Sequence, residues 1–346
     1  MGEAVGAEGG RIAEFHGVDR ETFAAQIATR YQPAVLRGVV GDWPAVARAR
    51  ESMASIARYL DALDSGKTVD VILAPPQARG RIFYNDEMTG FNFTRHKSPI
   101  SEVNAKLVRY AAFDNRPMVA VQSALIADCL PGFGAENALP LLDPSIQPRI
   151  WLGNKVITPA HFDESNNIAC VVSGRRRFTL FPPGQVANLY VGPLDYAPTG
   201  TPISLVAFKE PDFARFPRFA DALAAAQVAE LEPGDALYIP ALWWHHVESL
   251  EKYNVLVNYW WRGDAFAPSK ADSALEALVH AIVNLRHLPP EQREAWSTIF
   301  DYYVFGADHD PAAHIPAHRR GVLGRMSPEF VSQVKAFLVK QLERKN

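Results

Sequence analysis

Cysteine is nearly absent: Cys129 and Cys170 are the only two in the chain. Two thiols so far apart exclude a disulfide framework and a zinc knuckle. Both sit in mostly apolar runs and read as buried free thiols. No extended basic run occurs and the net charge is −3, which disfavours broad electrostatic nucleic-acid binding while leaving room for a local basic groove. No apolar stretch approaches the length of a membrane span. Residues Met1 to Gly10 lack a basic region followed by an apolar run, so no secretory signal is expected. Gly6 stands where a myristoylation motif needs Ser or Thr. There is no Gly-rich phosphate loop after a strand and no G-x-S-x-G elbow, which disfavours Rossmann and serine-hydrolase readings. A reducing, cytoplasmic setting is the expectation, and no membrane partner is expected.

What is present is a globular composition, 48% apolar and 21% charged over 346 residues, enough for a sizeable core. Residues Arg20 to Leu63 mix helical periodicity with a short extended run from Pro33 to Val40. Asp70 to Leu73 and Met118 to Gln122 read as strands. From Arg149 to Trp261 short strands alternate with Pro and Gly, the pattern of a β-barrel or sandwich. Past Gly263 the period turns helical: Ala271 to Leu285, Pro290 to Phe300, and Ser327 to Leu342 with Ser327 and Pro328 as N-cap and first residue. The expected division is a mixed α/β region over 1–125, a β core over 126–264 and a helical appendage over 265–346.

His161-Phe162-Asp163 carries the strongest chemical signal. Two residues apart on a strand, an imidazole and a carboxylate share a face. One further imidazole would complete two His and one carboxylate on one side of a metal, a facial triad that leaves open positions. Trp244-His245-His246 offers that imidazole, and only one of the two histidines can face the metal from one side of a strand. A lone histidine in an apolar strand reads equally as a hydrogen-bonded core residue. Pro233-Gly234-Asp235 forms the turn that launches the strand before it. In the other half, Ser173-Gly174 reads as a hairpin turn into Arg175 to Phe181. Arg176 shares parity with Phe178 and Leu180. If those face inward, Arg176 is carried inside, where a cation requires an anion and its fork suits a carboxylate. Taken alone, the same stretch also reads as three solvated arginines beside a turn.

Thr158 to Glu164, Gly174 to Pro183, Pro233 to Leu250 and Asn258-Tyr259-Trp260 together resemble the jumonji-C branch of the cupin superfamily. These are Fe(II)- and 2-oxoglutarate-dependent oxygenases, and the stretches resemble the cupin-like hydroxylases related to the asparaginyl hydroxylase that acts on hypoxia-inducible factor. Trp43-Pro44 after Leu36-Arg37-Gly38 echoes that family's N-terminal region. The resemblance implies a mainly β fold with flanking helices, a double-stranded β-helix (jelly-roll, cupin) core between the mixed N-terminal part and the C-terminal helices. It implies His161, Asp163 and His245 as iron ligands, His245 rather than His246 because the family ligand directly follows the tryptophan. Thr158 would bond the distal carboxylate of 2-oxoglutarate, Asn167 and Asn258 would line the pocket, and Trp260 would wall it or be plain core. His246 becomes a supporting or structural residue.

Two positions depart from the pattern. Arg176 stands where the hydroxylases hold the cosubstrate with lysine, and Ala120 aligns near a tyrosine that assists in the asparaginyl hydroxylase. The retained Asp163 argues against a halogenase. The implied reaction uses Fe(II), 2-oxoglutarate and dioxygen to hydroxylate a C–H bond, with a protein or peptide side chain as first substrate. Rival readings are a cupin-type metal oxygenase acting on a small molecule and a non-catalytic cupin-like binding module. The C-terminal helices would make a homodimer, or else cap one end of the barrel. His314 and His318 read as a surface pair.

Overall fold

The short β-branched and aromatic runs become thirteen strands in the computed structural model, which describes residues 10–263, 273–306 and 308–343. They are β1 Ala13–His16, β2 Ala34–Arg37, β3 Val69–Ala74, β4 Thr94–Ser98, β5 Met118–Leu125, β6 Pro148–Gly153, β7 Ile157–His161, β8 Asn166–Ser173, β9 Arg176–Phe181, β10 Gln227–Leu231, β11 Ala236–Ile239, β12 Trp244–Ser249 and β13 Asn254–Trp261. They form two sheets. One has nine strands in the order β1-β2-β11-β8-β13-β6-β5-β3-β4, and the other has four in the order β10-β9-β12-β7. The fold is mainly β and cupin-like with flanking helices. The strands before residue 126 lie in the same large sheet as β6, β8, β11 and β13, joined through the antiparallel β5–β6 pair.

Residue parity sorts the core into layers. On β8, Ala169 and Val171 turn toward Phe178, Leu180, Leu231 and Leu237 and fill the space between the sheets. The alternate residues Ile168, Cys170 and Val172 turn outward. There they meet the helices Pro44–Glu51, Met53–Leu63 and Ile100–Tyr110 through Val46, Ile56, Leu60, Val103 and Leu107. A strand buried on both faces needs the near-continuous apolar run that Ile168 to Val172 supplies. Both cysteines are buried and free, and burial pushes the Cys129 thiol up to about 11, so neither is a reactive thiolate at neutral pH.

The turn at Ser173-Gly174 is not a hairpin. β8 pairs with β11 and β13, whereas β9 pairs with β10 and β12. Gly174 therefore carries the chain from one sheet to the other. Its φ is +74°, and a Cβ there would lie 2.3 Å from the Asn254 Oδ1 and 2.8 Å from the Tyr253 carbonyl, so the corner requires glycine.

Asp235 fixes the opposite turn. Its Oδ1 accepts the Gly38 N–H at 2.9 Å, and its Oδ2 accepts from Arg37 at 2.7 Å and from the Glu232 N–H at 3.2 Å. Hydrogen bonds to a charged group of this kind are each worth about 1.5–3 kcal/mol. Asp235→Ala is expected to lower unfolding stability by about 2 kcal/mol or more, read as a lower urea midpoint with an unchanged slope.

The chain divides into two compact units, 1–272 and 273–346. The second contains the helices Ala274–Leu285, Pro290–Phe300 and Pro328–Leu342, the last capped by the Ser327 hydroxyl accepting the Phe330 N–H at 3.2 Å. Residues 271 and 272 of the first expected helix lie outside the described residues. No helix among the described residues is long and apolar enough to cross a membrane.

Candidate metal centre

β7 is an edge strand, which is why Pro159 is tolerated within it. Its last residue, His161, sits directly opposite His245 of β12 in an antiparallel register, with a bulge immediately after. The two imidazole centroids are 4.2 Å apart. Each Nδ1 lies against a backbone carbonyl of its own chain segment, His161 against Pro159 at 2.9 Å and His245 against Trp243 at 3.0 Å. A carbonyl can only accept, so each Nδ1 donates, and Nε2 is the ring nitrogen left to face a metal. Burial, helped by His161 and opposed by Asp163, holds His245 neutral with its pKa lowered to about 4.

Asp163 follows two residues beyond His161, its Oδ2 3.7 Å from the His245 Nε2. One ligand atom from each of the three side chains lies within 4.8 Å of the others. Neighbouring ligands about 2.1 Å from a metal are about 3 Å apart, so small rotations would close them on an ion. Trp260 donates its indole N–H to the Asp163 Oδ2 at 3.1 Å, orienting the carboxylate. The Asp163 carbonyl accepts the Leu242 N–H at 2.8 Å, and Leu242 takes a φ of +65°. That left-handed turn lets β12 begin where His245 faces inward.

All eight site residues expected from the sequence border one cavity of about 450 Å3. Arg176 is 8% exposed. It makes no ion pair with any described residue, and its Nε is buried without a hydrogen-bond partner. Burial lowers its pKa to about 10, so it is still a cation at neutral pH, and an uncompensated buried cation calls for an anion. The polar wall is a short relay: Trp151 donates to the Asn258 Oδ1 at 2.9 Å, and Asn258 donates to the Asn167 Oδ1 at 3.2 Å. The indole can only donate, which sets the orientation of both amides. Phe178, Val247 and Leu256 close the apolar side.

Sequence reading missed part of this lining. Trp151, Gln122, Ser123, Asp70, Arg95 and residues 199–201 also border the cavity. Ser123 has φ +51° at a break in the β5–β6 register, the kind of bulge that re-aims side chains beside sites. Nothing local in the sequence marks it. Ala120 does not border the cavity; it packs with Ile72, Ile82 and Met118.

His246 faces the other way, as alternation requires. Its ring stacks on Phe208 at 4.2 Å, and neither ring nitrogen has a hydrogen-bond partner among the described residues. Burial, with Arg81, His161 and Lys209 acting in the same direction, lowers its pKa to about 3. The unfolded chain takes up a proton near 6.5 and the native state does not. Stability is therefore intact above pH 6.5 and falls as the pH drops toward 3. His246→Phe should keep metal, gain about 1–2 kcal/mol and lose less stability in acid. Urea melts at pH 7 and pH 5, with metal analysis, check this. Loss of metal in this variant would transfer the ligand role from His245.

A family model for the cupin-like domain matches residues 20–265. HSPB1-associated protein 1 of Rattus norvegicus is 28% identical over 283 residues, 75% of this chain and 54% of that protein. Lysine-specific demethylase JMJ31 of Arabidopsis thaliana is 35% identical over 126 residues, covering 36% of this chain and 22% of that protein. tRNA wybutosine-synthesizing protein 5 of Gallus gallus is 32% identical over 149 residues, 40% of this chain and 44% of that protein. The chain thus spans about half of these curated relatives, or less. Its matched stretch contains the whole cavity and the His-Asp-His group, and the chain belongs to the cupin-like domain family, in its jumonji-C branch.

Proposed function

We propose that this protein is an Fe(II)- and 2-oxoglutarate-dependent oxygenase that hydroxylates a C–H bond on a protein or peptide side chain. The observation that carries this reading is Arg176, a buried cation that makes no ion pair with any described residue and borders the same cavity as the triad. A dicarboxylic acid supplies one carboxylate to that cation and has a second end free for a metal. Bound together, iron, 2-oxoglutarate and dioxygen supply an oxidant able to break an unactivated C–H bond.

The chain's own residues do the rest. His161, Asp163 and His245 would hold the metal, supplying two imidazoles and one carboxylate at the wall of the cavity. The Trp260 N–H keeps Asp163 in orientation. Thr158 and Arg176 would hold the far carboxylate, while Asn167 and Asn258 line the polar wall. Phe178, Val247 and Leu256 exclude water from the deep end. A peptide substrate is supported by the relative whose name makes it a lysine-specific demethylase, an enzyme acting on an amino-acid side chain.

The test is an anaerobic load with Fe(II) followed by titration of 2-oxoglutarate, watching for the visible charge-transfer band of the chelate. The band should appear in the unaltered protein and be missing in His161→Ala. Bound iron without a band would instead favour a metal oxygenase of small molecules. No iron uptake at all would favour a non-catalytic binding module.

A homodimer through the C-terminal helices belongs to the same reading. Those helices leave Leu278, Val283, Phe337, Leu338 and Val339 exposed, apolar surface that a second copy could cover. Sedimentation at micromolar concentration should give twice the 38.3 kDa chain mass. A monomer would overturn the homodimer.

A further inference from the structure

β4 is the last strand of the nine-stranded sheet and pairs only with β3. Among the described residues no backbone hydrogen bond joins it to any other segment. Thr94, Arg95 and Lys97 are exposed, so a row of backbone donors and acceptors stands open. This edge is continuous with the cavity, because Asp70 of β3 and Arg95 of β4 both border it with the triad.

The charges at this rim do not cancel. Asp70 pairs with Arg95 and lies 3.9 Å from the Lys97 ammonium, one carboxylate between two cations. Arg95 also donates to the Pro198 carbonyl at 2.8 Å, tying the strand to the segment whose Thr199 and Thr201 border the opening. A lysine on an edge strand commonly serves only to prevent sheet-to-sheet aggregation. That accounts for Lys97 and leaves Arg95, whose guanidinium is held at the cavity, unexplained. Exposed ion pairs are weak and exchange partners easily, so a carboxylate on a ligand can replace Asp70.

We propose that β4 is a docking edge: an extended acidic peptide pairs with its open backbone, its carboxylates meet Arg95 and Lys97, and one side chain enters the cavity. Main-chain pairing supplies affinity, and alternate side chains supply specificity. The proposal rests on the peptide-substrate reading above and refines it from any protein to an acidic, extended segment.

Anisotropy of fluorescein-labelled decapeptides tests it on the full chain without iron. The probes are alternating Glu-Val, Gln-Val and Lys-Val repeats, the Glu-Val repeat with N-methylated backbone, and a ten-nucleotide uridine oligomer. The Glu-Val peptide should bind at least about tenfold tighter than the Gln-Val peptide, and the Lys-Val peptide not at all. The folded double variant Arg95→Glu, Lys97→Glu should lose that preference, and N-methylation should abolish binding. Equal binding of all three charge types, full binding of the N-methylated peptide, or tighter binding of the uridine oligomer would each overturn the proposal. Peptide binding alongside a missing iron and 2-oxoglutarate band would defeat the oxygenase reading and leave the docking edge standing.

Discussion

Asp163→Ala is expected to abolish turnover, by about 1,000-fold or more, which is about 4 kcal/mol of lost transition-state stabilisation. Asp163 contributes the sole carboxylate of the His-Asp-His group. Its removal takes away the carboxylate that would balance a divalent cation and leaves two imidazoles alone. The Trp260 N–H, which now bonds to Asp163, would then point at an empty space. The fold should survive, because the Asp163 side chain is 18% exposed and its carbonyl, not its carboxylate, accepts the Leu242 N–H. Metal content and succinate release measure the effect. A variant that kept both iron and turnover would remove Asp163 from the centre.

Arg176→Met should produce two changes of opposite sense. Affinity for 2-oxoglutarate should fall by about 100-fold or more, as truncating one partner of a buried charged pair costs about 2–5 kcal/mol. Without cosubstrate, the same variant should unfold at a higher temperature. The arginine pKa lowered from 12.5 to about 10 corresponds to about 3 kcal/mol by which burial disfavours the charged form, and an uncharged methionine of comparable volume removes that cost. The sign follows from linkage. The native state gives up its proton at lower pH than the unfolded chain, so the penalty is full below pH 10 and fades only above it. The difference between the two proteins should therefore be flat from pH 6 to pH 9. Thermal melts with and without 2-oxoglutarate measure both arms. Unchanged affinity would take Arg176 out of the anion site, whatever the melting temperature.

The parity of side chains made much of this centre legible. His161 and Asp163, one strand step apart, share a face; His245 and His246, adjacent, cannot. The same rule carried Arg176 inward with Phe178 and Leu180. Pairing was less legible, because it depends on strands distant in the chain. The Ser173-Gly174 turn has hairpin composition, yet β8 has both edges filled by β11 and β13, so β9 must leave for the other sheet. Asp70 and Arg95 reach the cavity only because β3 and β4 extend the large sheet through β5. The Trp260 bond to Asp163 spans 97 residues, and no local pattern announces it.

The cross-strand pairing of His161 with His245 has a consequence for motion. β7 ends the small sheet, held along one side by β12 and on the other by single bridges from Arg81 and Ile203. An ion shared by the two histidines would act as a transverse clasp at the strand's last residue. Opening of that strand and release of the ion would then be one event. Amide exchange over Ile157–His161 would slow with loading while the central strand β8 stayed unchanged, and the wall of the cavity would be only as firm as its cargo.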